Sequence, residues 1–424
     1  METSTETNVG YILNVDIEYA SENSAKFECH DGFPLLPEKV VVEESDLSPF
    51  TRNLMRETGA KMTREPKLIA SLRDKKSYTL HLAHLKFVLA HGLKLKRVNA
   101  VLEFQQRPIF KEYVERIVRL RRESRTASEK NCWKIVLNSL YGRMLLDSQN
   151  FVNCRVVRGE RHCAKLVNSK LYRKHTVVSP NLVLVYSTPP SVTYATPILI
   201  GGTILCLSKL VQSYYFYERV QRCFAKPELV FSDTDSVCFM YTEEEAEYRK
   251  ARESMGDVFD FSSFEPGDEL YSDARKACPG FYKAELPYGS AVKDSKDRIS
   301  LFYGSCAKMY CLQSVADSQI VKAKGVPFCL RRSLGPQTYH EAIFNNSITQ
   351  GTYNKIVSYN HVLHTAVNRK RLLTLLDFKR YWLKCGLCSI SLFRDDSEQI
   401  DKAHVCPYLA GEQSARELNK NKQT

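Results

Sequence analysis

The chain has 424 residues, 43% hydrophobic and 26% charged, which excludes a disordered polymer and allows two or three globular units. Lysine and arginine total 61 against 48 acidic residues, a formal charge of +13 that suits a polyanionic partner. No apolar run reaches the ~18 residues that span a bilayer, no secretory signal opens the chain, and fourteen cysteines fall without a repeating framework, so an intracellular protein with reduced thiols and no membrane partner is expected.

In chain order, residues 9–19 (VGYILNVDIEY) alternate as a strand. Residues 30–66 read as loops around Gly32, Pro34, Pro37 and Pro49. SYTLHLAHLKFVLAHGL (77–93) has helical spacing and ends on Gly92, a C-terminal cap. Positive charge is concentrated next, with ten basic and four acidic residues over 91–125. Two basic helices are expected at 109–123 and 128–146, joined by a turn at SRTA (124–127). Short strands at 150–200, a long, mostly buried helix at 203–224, a charged surface helix at 243–253 and a strand at 300–313 follow. The polar tail at 410–424 is expected to be disordered.

Two stretches carry chemistry. ELVFSDTDSVCFMY (228–241) sets Asp233 and Asp235 between apolar strands. Residues two apart in a strand share a face, so the two carboxylates should aim together and Thr234 away from them. Their repulsion calls for a cation, and Mg²⁺ takes such oxygen ligands together with substrate phosphates. Two ions ~4 Å apart would serve nucleotidyl transfer, activating a 3′-oxygen and stabilising the departing pyrophosphate. The plain alternative is an exposed turn in which Asp and Ser act as turn formers. In KNCWKIVLNSLYGRM (130–144), Lys134, Asn138 and Tyr141 fall at i, i+4 and i+7 on one helical face. They offer a charge for a triphosphate, a hydrogen-bonding amide and a ring for a base pair, and Gly142 permits close backbone approach. An ordinary amphipathic helix would read the same way.

Taken together, KIVLNSLYG (134–142), SDTDS (232–236) and AKMY (307–310) resemble the fingers, second palm and primer-gripping motifs of family B DNA polymerases. GYILNVDIEY, TILCLSKLVQSYYFYERV, DFSSFEPGDELYSD and KAKGVP are similar to the protein-primed polymerases of Polinton/Maverick elements and related viruses, over roughly residues 9–385. The resemblance implies an α+β fold: a palm with an antiparallel sheet, helical-hairpin fingers and a partial thumb. It divides the chain into palm start and an insertion before the fingers (1–105), fingers (106–146), palm with a strand-rich insertion and the acidic hairpin (147–330), a thumb-like region (331–409) and the tail. It makes Asp235 the main metal ligand with Asp233 beside it. It makes Lys134 and Arg121, with Arg122 as the alternative, the cations for the incoming nucleotide. Asn138 and Tyr141 would pack on its sugar and base pair, and Gly142, Lys308 and Tyr310 would hold DNA. Primer-template DNA, deoxynucleoside triphosphates, a terminal priming protein and Mg²⁺, with Mn²⁺ as the alternative, are the implied partners. In such relatives, insertions at the positions of 20–90 and 150–200 contact the priming protein and aid strand displacement. LDFKRYWL (376–383) resembles a basic thumb segment, or is a surface helix.

The other indispensable palm motif, Asp-x-x-Ser-Leu-Tyr, is not in the sequence, nor are the acidic motifs of a 3′–5′ exonuclease. Asp16 and Glu18 are tempting substitutes, but the resemblance places their stretch downstream of the missing motif. The expectation is a C-terminal polymerase portion beginning part-way through the palm, its alternative a non-catalytic DNA-binding remnant. Cys385-x-x-Cys388, His404 and Cys406 have the donors of a zinc site, yet the single residue between the last two is irregular spacing, and no zinc is expected. His81, His84 and His91 read as a solvated or nucleic-acid-facing stripe, and NRKRLL (368–373) as solvated surface or an import signal.

Overall fold

The computed structural model describes residues 8–19, 30–264, 266–283, 299–314, 319–345, 348–359 and 362–408. The expectation for 410–424 lies outside them. The chain opens with β1 (Val9–Glu18), β2 (Glu38–Val40), α1 (Pro49–Thr58), β3 (Lys67–Ile69), β4 (Lys75–His81), α2 (Leu82–Ala90) and β5 (Lys94–Gln105). There follow α3 (Lys111–Glu123), α4 (Ala127–Met144), β6 (Asn153–Val157), α5 (Glu160–Val167), β7 (Tyr172–Ser179), β8 (Leu182–Ser187) and α6 (Ile198–Tyr214). The acidic stretch supplies β9 (Glu228–Asp233) and β10 (Ser236–Met240), then α7 (Glu245–Ser254), β11 (Ile299–Cys306), β12 (Met309–Ser314), β13 (Gln319–Ala323) and α8 (Pro336–Asn345). The described chain ends through β14 (Gln350–Tyr359), β15 (Val362–Arg371), β16 (Arg380–Trp382), β17 (Ser389–Ser391) and α9 (Ser397–Ala403). Helices thus mix with antiparallel sheets ordered β4-β1-β5, β2-β3, β6-β8-β7, β9-β10, β11-β12-β13 and β16-β17.

The chain divides into two compact units, one of residues 1–107, 207–351 and 371–424, the other of 108–206 and 352–370. In the first, β1 follows its alternation: Leu13, Val15 and Ile17 are buried and the residues between them are half-exposed. His84, Leu85 and Val88 of α2 are buried, and α2 packs on β1 and β4. Gly92, at φ 97°, lets the Leu93 N–H reach back to the Val88 carbonyl, the cap expected there.

Four expectations change here. The first five residues of 77–93 are strand, because Tyr78 to His81 pair with β1 before the helix begins. The stretch 30–66 holds α1, with Ser48 as N-cap, Pro49 in its first turn and Gly59 as left-handed C-cap, a start-and-stop signature that was there to read. Residues 300–313 form two strands rather than one, since Lys308 turns the chain at φ 62°. The histidines are no solvated stripe: His84 is buried, which lowers its pKa to about 4, His81 caps α2 through Nδ1, and His91 lies 3.0 Å from Glu218.

The helix expected at 203–224 runs from Ile198 to Cys223, turning through a wider π segment at Tyr215–Val220. Burial is concentrated between Gln212 and Val220. Leu199, Leu205, Leu207 and Val211 are exposed, because apolar residues encircle the helix. By length and composition this helix could cross a membrane, a test that core helices of the same make-up also pass.

LDFKRYWL forms neither a surface helix nor a row of free cations. Tyr381 and Leu383 are buried in one core with Val42, Leu47, Met55, Ile69 and Leu392. Arg380 pairs with Asp31, which also accepts from the Ser391 N–H and Arg394. The start and end of the described chain are therefore knitted into one body. Of the basic run at 368–373, the last two residues, Leu372 and Leu373, are buried in a core with Met309, Val326 and Tyr339.

In the second unit, α3 packs on α4, and Leu145 fills the space that a side chain at Gly201 would need. The strands expected at 150–200 form the β6-β8-β7 sheet, with α5, not anticipated, packed across β7 and β8.

Candidate active-site hairpin and helical pair

Asp233 is the last residue of β9 and pairs with Ser236, so Thr234 and Asp235 form the turn. Strand alternation therefore does not set their directions. Thr234 sits at φ 63°, a left-handed conformation that a β-branched residue rarely adopts. The Asp235 N–H donates to the Asp233 carbonyl at 2.7 Å, closing the turn over one residue, and Thr234 Oγ1 donates to Asp233 Oδ1 at 3.2 Å. Thr234 thus turns its hydroxyl toward a carboxylate, not away. Such strain costs of order 1–3 kcal/mol and survives only where the surroundings impose it.

The surroundings here are specific. Gln212, buried on α6, donates Nε2 to Ser232 Oγ and to the Ser236 carbonyl, both at 3.2 Å, gripping both strands behind the turn. Phe231 stacks on Tyr310 with ring centroids 4.6 Å apart and interplanar angle 24°. Tyr310 faces Gly304 across the β11–β12 ladder, and Phe302 lies over that glycine, where a side chain would collide with its ring. At the tip of β11–β12, Lys308 Nζ reaches Asp233 Oδ1 at 3.1 Å. Asp235 is exposed, and its charge helps burial raise the pKa of Tyr282, which stacks on Tyr215 at 3.7 Å.

The structure thus brings together Asp233, Asp235, Lys308 and Tyr310. Gln212, Phe231 and Thr234 are the residues sequence reasoning passed over. Of these, Thr234 alone left a signal, as the residue between two carboxylates. Asp16 and Glu18 are engaged elsewhere. Asp16 accepts from the Ser77 N–H at 2.7 Å and from Asn99 Nδ2 at 2.9 Å, which holds its carboxyl below the usual range, and Glu18 pairs with Lys96.

The other candidate residues lie in the second unit. A capping box starts α4: Thr126 Oγ1 accepts from the Glu129 N–H, and Glu129 accepts from the N–H groups of Thr126 and Arg125, which lowers its pKa. From that fixed start the helical period puts Lys134 and Asn138 in solvent and Tyr141 half-exposed, while Gly142 faces open space. Arg121, in the last turn of α3, is half-exposed and Arg122 exposed. The α4 face can meet an anion with Lys134 and a planar group with the Tyr141 ring, and Arg121 adds a cation in the last turn of α3.

Residues 11–193, from β1 through the β6-β8-β7 sheet, match the family model of DNA polymerase type B, organellar and viral. The chain is thus similar to the family B DNA polymerases of organelles and viruses. The match includes KIVLNSLYG and ends before the acidic hairpin. No curated protein matches the chain. Among solved structures, phi29 DNA polymerase complexed with primer-template DNA and incoming nucleotide is similar, at 13% identity and a TM-score of 0.44. The similarity covers 86% of this chain and 58% of that polymerase, so the chain spans little over half of its length.

Proposed function

We propose that the chain acts in DNA-templated DNA synthesis, by nucleotidyl transfer in the protein-primed replication of a viral or mobile-element genome. The observation that carries this reading is the contact between Lys308 and Asp233, backed by the Phe231–Tyr310 stack. Two motifs far apart in sequence, one for metal and one for primer, meet at a single point. In this reading the first unit is palm with part of the thumb, and α3 with α4 is the fingers.

The residues fit the hard divalent cation that such chemistry uses, since Asp233 and Asp235 offer carboxylate oxygens at an accessible turn. When bound there, Mg²⁺ or Mn²⁺ would supply positive charge to the triphosphate and lower the pKa of the attacking hydroxyl. The chain's own residues do the rest. Gln212 and Thr234 fix the turn that presents Asp235. Lys308 moves between the Asp233 carboxylate and a primer phosphate as DNA enters, and the Tyr310 ring supports it. Lys134 and Arg121 neutralise the triphosphate, while Asn138 and Tyr141 orient sugar and base. A terminal protein is the implied primer donor.

A second reading, a DNA-binding remnant without catalysis, is favoured by one observation: Asp16 and Glu18, the carboxylates nearest in type to the absent Asp-x-x-Ser-Leu-Tyr ligand, are held by Ser77, Asn99 and Lys96. Single-nucleotide extension of a primed template with Mg²⁺ and with Mn²⁺ separates the two. The first reading expects extension that is lost in Asp235→Ala. Salt-dependent DNA binding without any extension is the remnant's signature, and extension that survives Asp235→Ala overturns the site assignment.

A further inference from the structure

Cys385 and Cys388 flank the turn between β16 and β17, and His404 and Cys406 follow α9. Their irregular spacing argued against a metal. The structure brings one donor atom of each to within 4.8 Å of all the others.

The distances are those of ligands around one ion. Tetrahedral bonds of about 2.3 Å to sulfur and about 2.0 Å to nitrogen place two sulfurs ~3.8 Å apart and sulfur and nitrogen ~3.5 Å apart. Cys388 Sγ and Cys406 Sγ are 3.9 Å apart, and Cys385 Sγ and His404 Nε2 are 3.5 Å apart. An iron–sulfur cluster spreads its cysteines over more than one iron and needs a wider cage.

The backbone is shaped for thiolates. The N–H groups of Leu387 and Cys388 both donate to Cys385 Sγ, at 3.4 and 3.3 Å. Gly386 makes that turn at φ 70°, and a side chain there would strike the Phe50 ring of α1. On the other arm, Lys384 binds Asp401 and the Lys402 carbonyl, so α9 returns the chain to the turn. His404 is extended beyond α9, at φ −65° and ψ 126°, and Val405 between the two donors is 83% exposed while His404 and Cys406 turn inward to the cluster. The spacing that looked irregular is the spacing that aims His404 and Cys406 together.

We propose that Cys385, Cys388, His404 and Cys406 bind a single structural zinc ion. The soft sulfur and imidazole donors select zinc over the hard cations suited to the acidic hairpin. Four protein ligands leave no open position for substrate, so the role is to hold the fold. What zinc holds is the β16–β17 turn, α9 and, through Phe50 and Asp31, the body built around α1.

The full chain, purified from cells under reducing conditions, should carry one zinc by elemental analysis. After replacement by Co²⁺ it should show the charge-transfer and intense visible bands of tetrahedral cobalt thiolate. Cys388→Ser and His404→Ala should lose the metal, while Cys329→Ser, at an exposed cysteine outside the cluster, keeps it. Should the ligand variants fold poorly, the wild-type chain still decides. Zinc release by a thiol-specific mercurial should speed tryptic cleavage after Lys384 and Arg394. Reduced wild-type chain that holds no zinc and takes up neither Zn²⁺ nor Co²⁺ overturns the proposal. So do metal retained by both ligand variants, and a Cys388–Cys406 disulfide in the reduced preparation.

Discussion

The Thr234–Asp235 turn between β9 and β10 and the Gly386–Leu387 turn between β16 and β17 both set candidate metal ligands at the tip of an antiparallel hairpin. The first leaves its carboxylates accessible, takes its nearest cation from Lys308, and holds a strained residue in place from behind. The second gathers sulfur and nitrogen around one point, gives its positive-φ position to glycine and closes the ring with a distant segment. An open oxygen site can admit and release substrate. A closed sulfur site can only hold. The two hairpins belong to one unit, yet the left-handed residue is a threonine where chemistry is proposed and a glycine where only structure is.

Asp235→Ala is the sharpest way to break this contrast. Extension by the chain should fall to background, because Asp233, already paired with Lys308, is left as a single carboxylate at the turn, while primer-template binding, measured by fluorescence anisotropy, stays or tightens. Equal loss of binding and extension would make the acidic turn a structural element, like its counterpart.

The histidines sharpen the same contrast. His404 is assigned to a metal, whereas His84 lies in the core with its pKa lowered to about 4 by burial. Its unfolded pKa near 6.5 means that the unfolded chain binds the extra proton first as pH falls. Stability from neutral His84 is therefore complete above about pH 6.5 and drains away toward pH 4, by up to roughly 3 kcal/mol. Thermal melts of His84→Leu should show a flatter dependence across that window. His30, lowered to about 4 by burial in the same way, retains a share of the slope.

Much of this was legible because it is local. KIVLNSLYG and SDTDS are contiguous, and a helical period or a hairpin turn is settled by neighbours in sequence. The turn's inner geometry was not legible. Alternation assigned Thr234 a direction, but alternation ends where the ladder ends, and Asp233 is the last paired residue. The histidine stripe failed for a related reason, since periodicity names a face and not what covers it. The cysteine cluster failed because fifteen residues separate Cys388 from His404 and the return path through α9 depends on a tertiary bond, Asp401 to Lys384. α1 is the opposite case, a helix fully marked by Ser48, Pro49 and Gly59.

Gln212→Leu tests how the strained turn is maintained. The substitution removes two donated hydrogen bonds and leaves the Ser236 carbonyl and Ser232 hydroxyl without this partner, at a cost of about 1–3 kcal/mol. If the turn is imposed from behind, extension should fall with the maximal rate while DNA affinity holds. Urea melts and single-turnover kinetics read the two effects apart.

The smallest effect on stability belongs to Lys308. Its pair with Asp233 joins side chains 56% and 39% exposed, and exposed pairs are worth about 0–1 kcal/mol. Lys308→Ala should therefore leave the urea midpoint nearly unchanged. Binding of primer-template should weaken, with the slope of log affinity against log salt reduced by about one, because one phosphate contact is lost. That combination, an unmoved fold with a shallower salt slope, separates a lysine that trades a carboxylate for a phosphate from one that only caps a hairpin. A stability loss of ~2 kcal/mol or more with the salt slope unchanged would place Lys308 among the structural supports of the turn, beside Gln212 and Phe231.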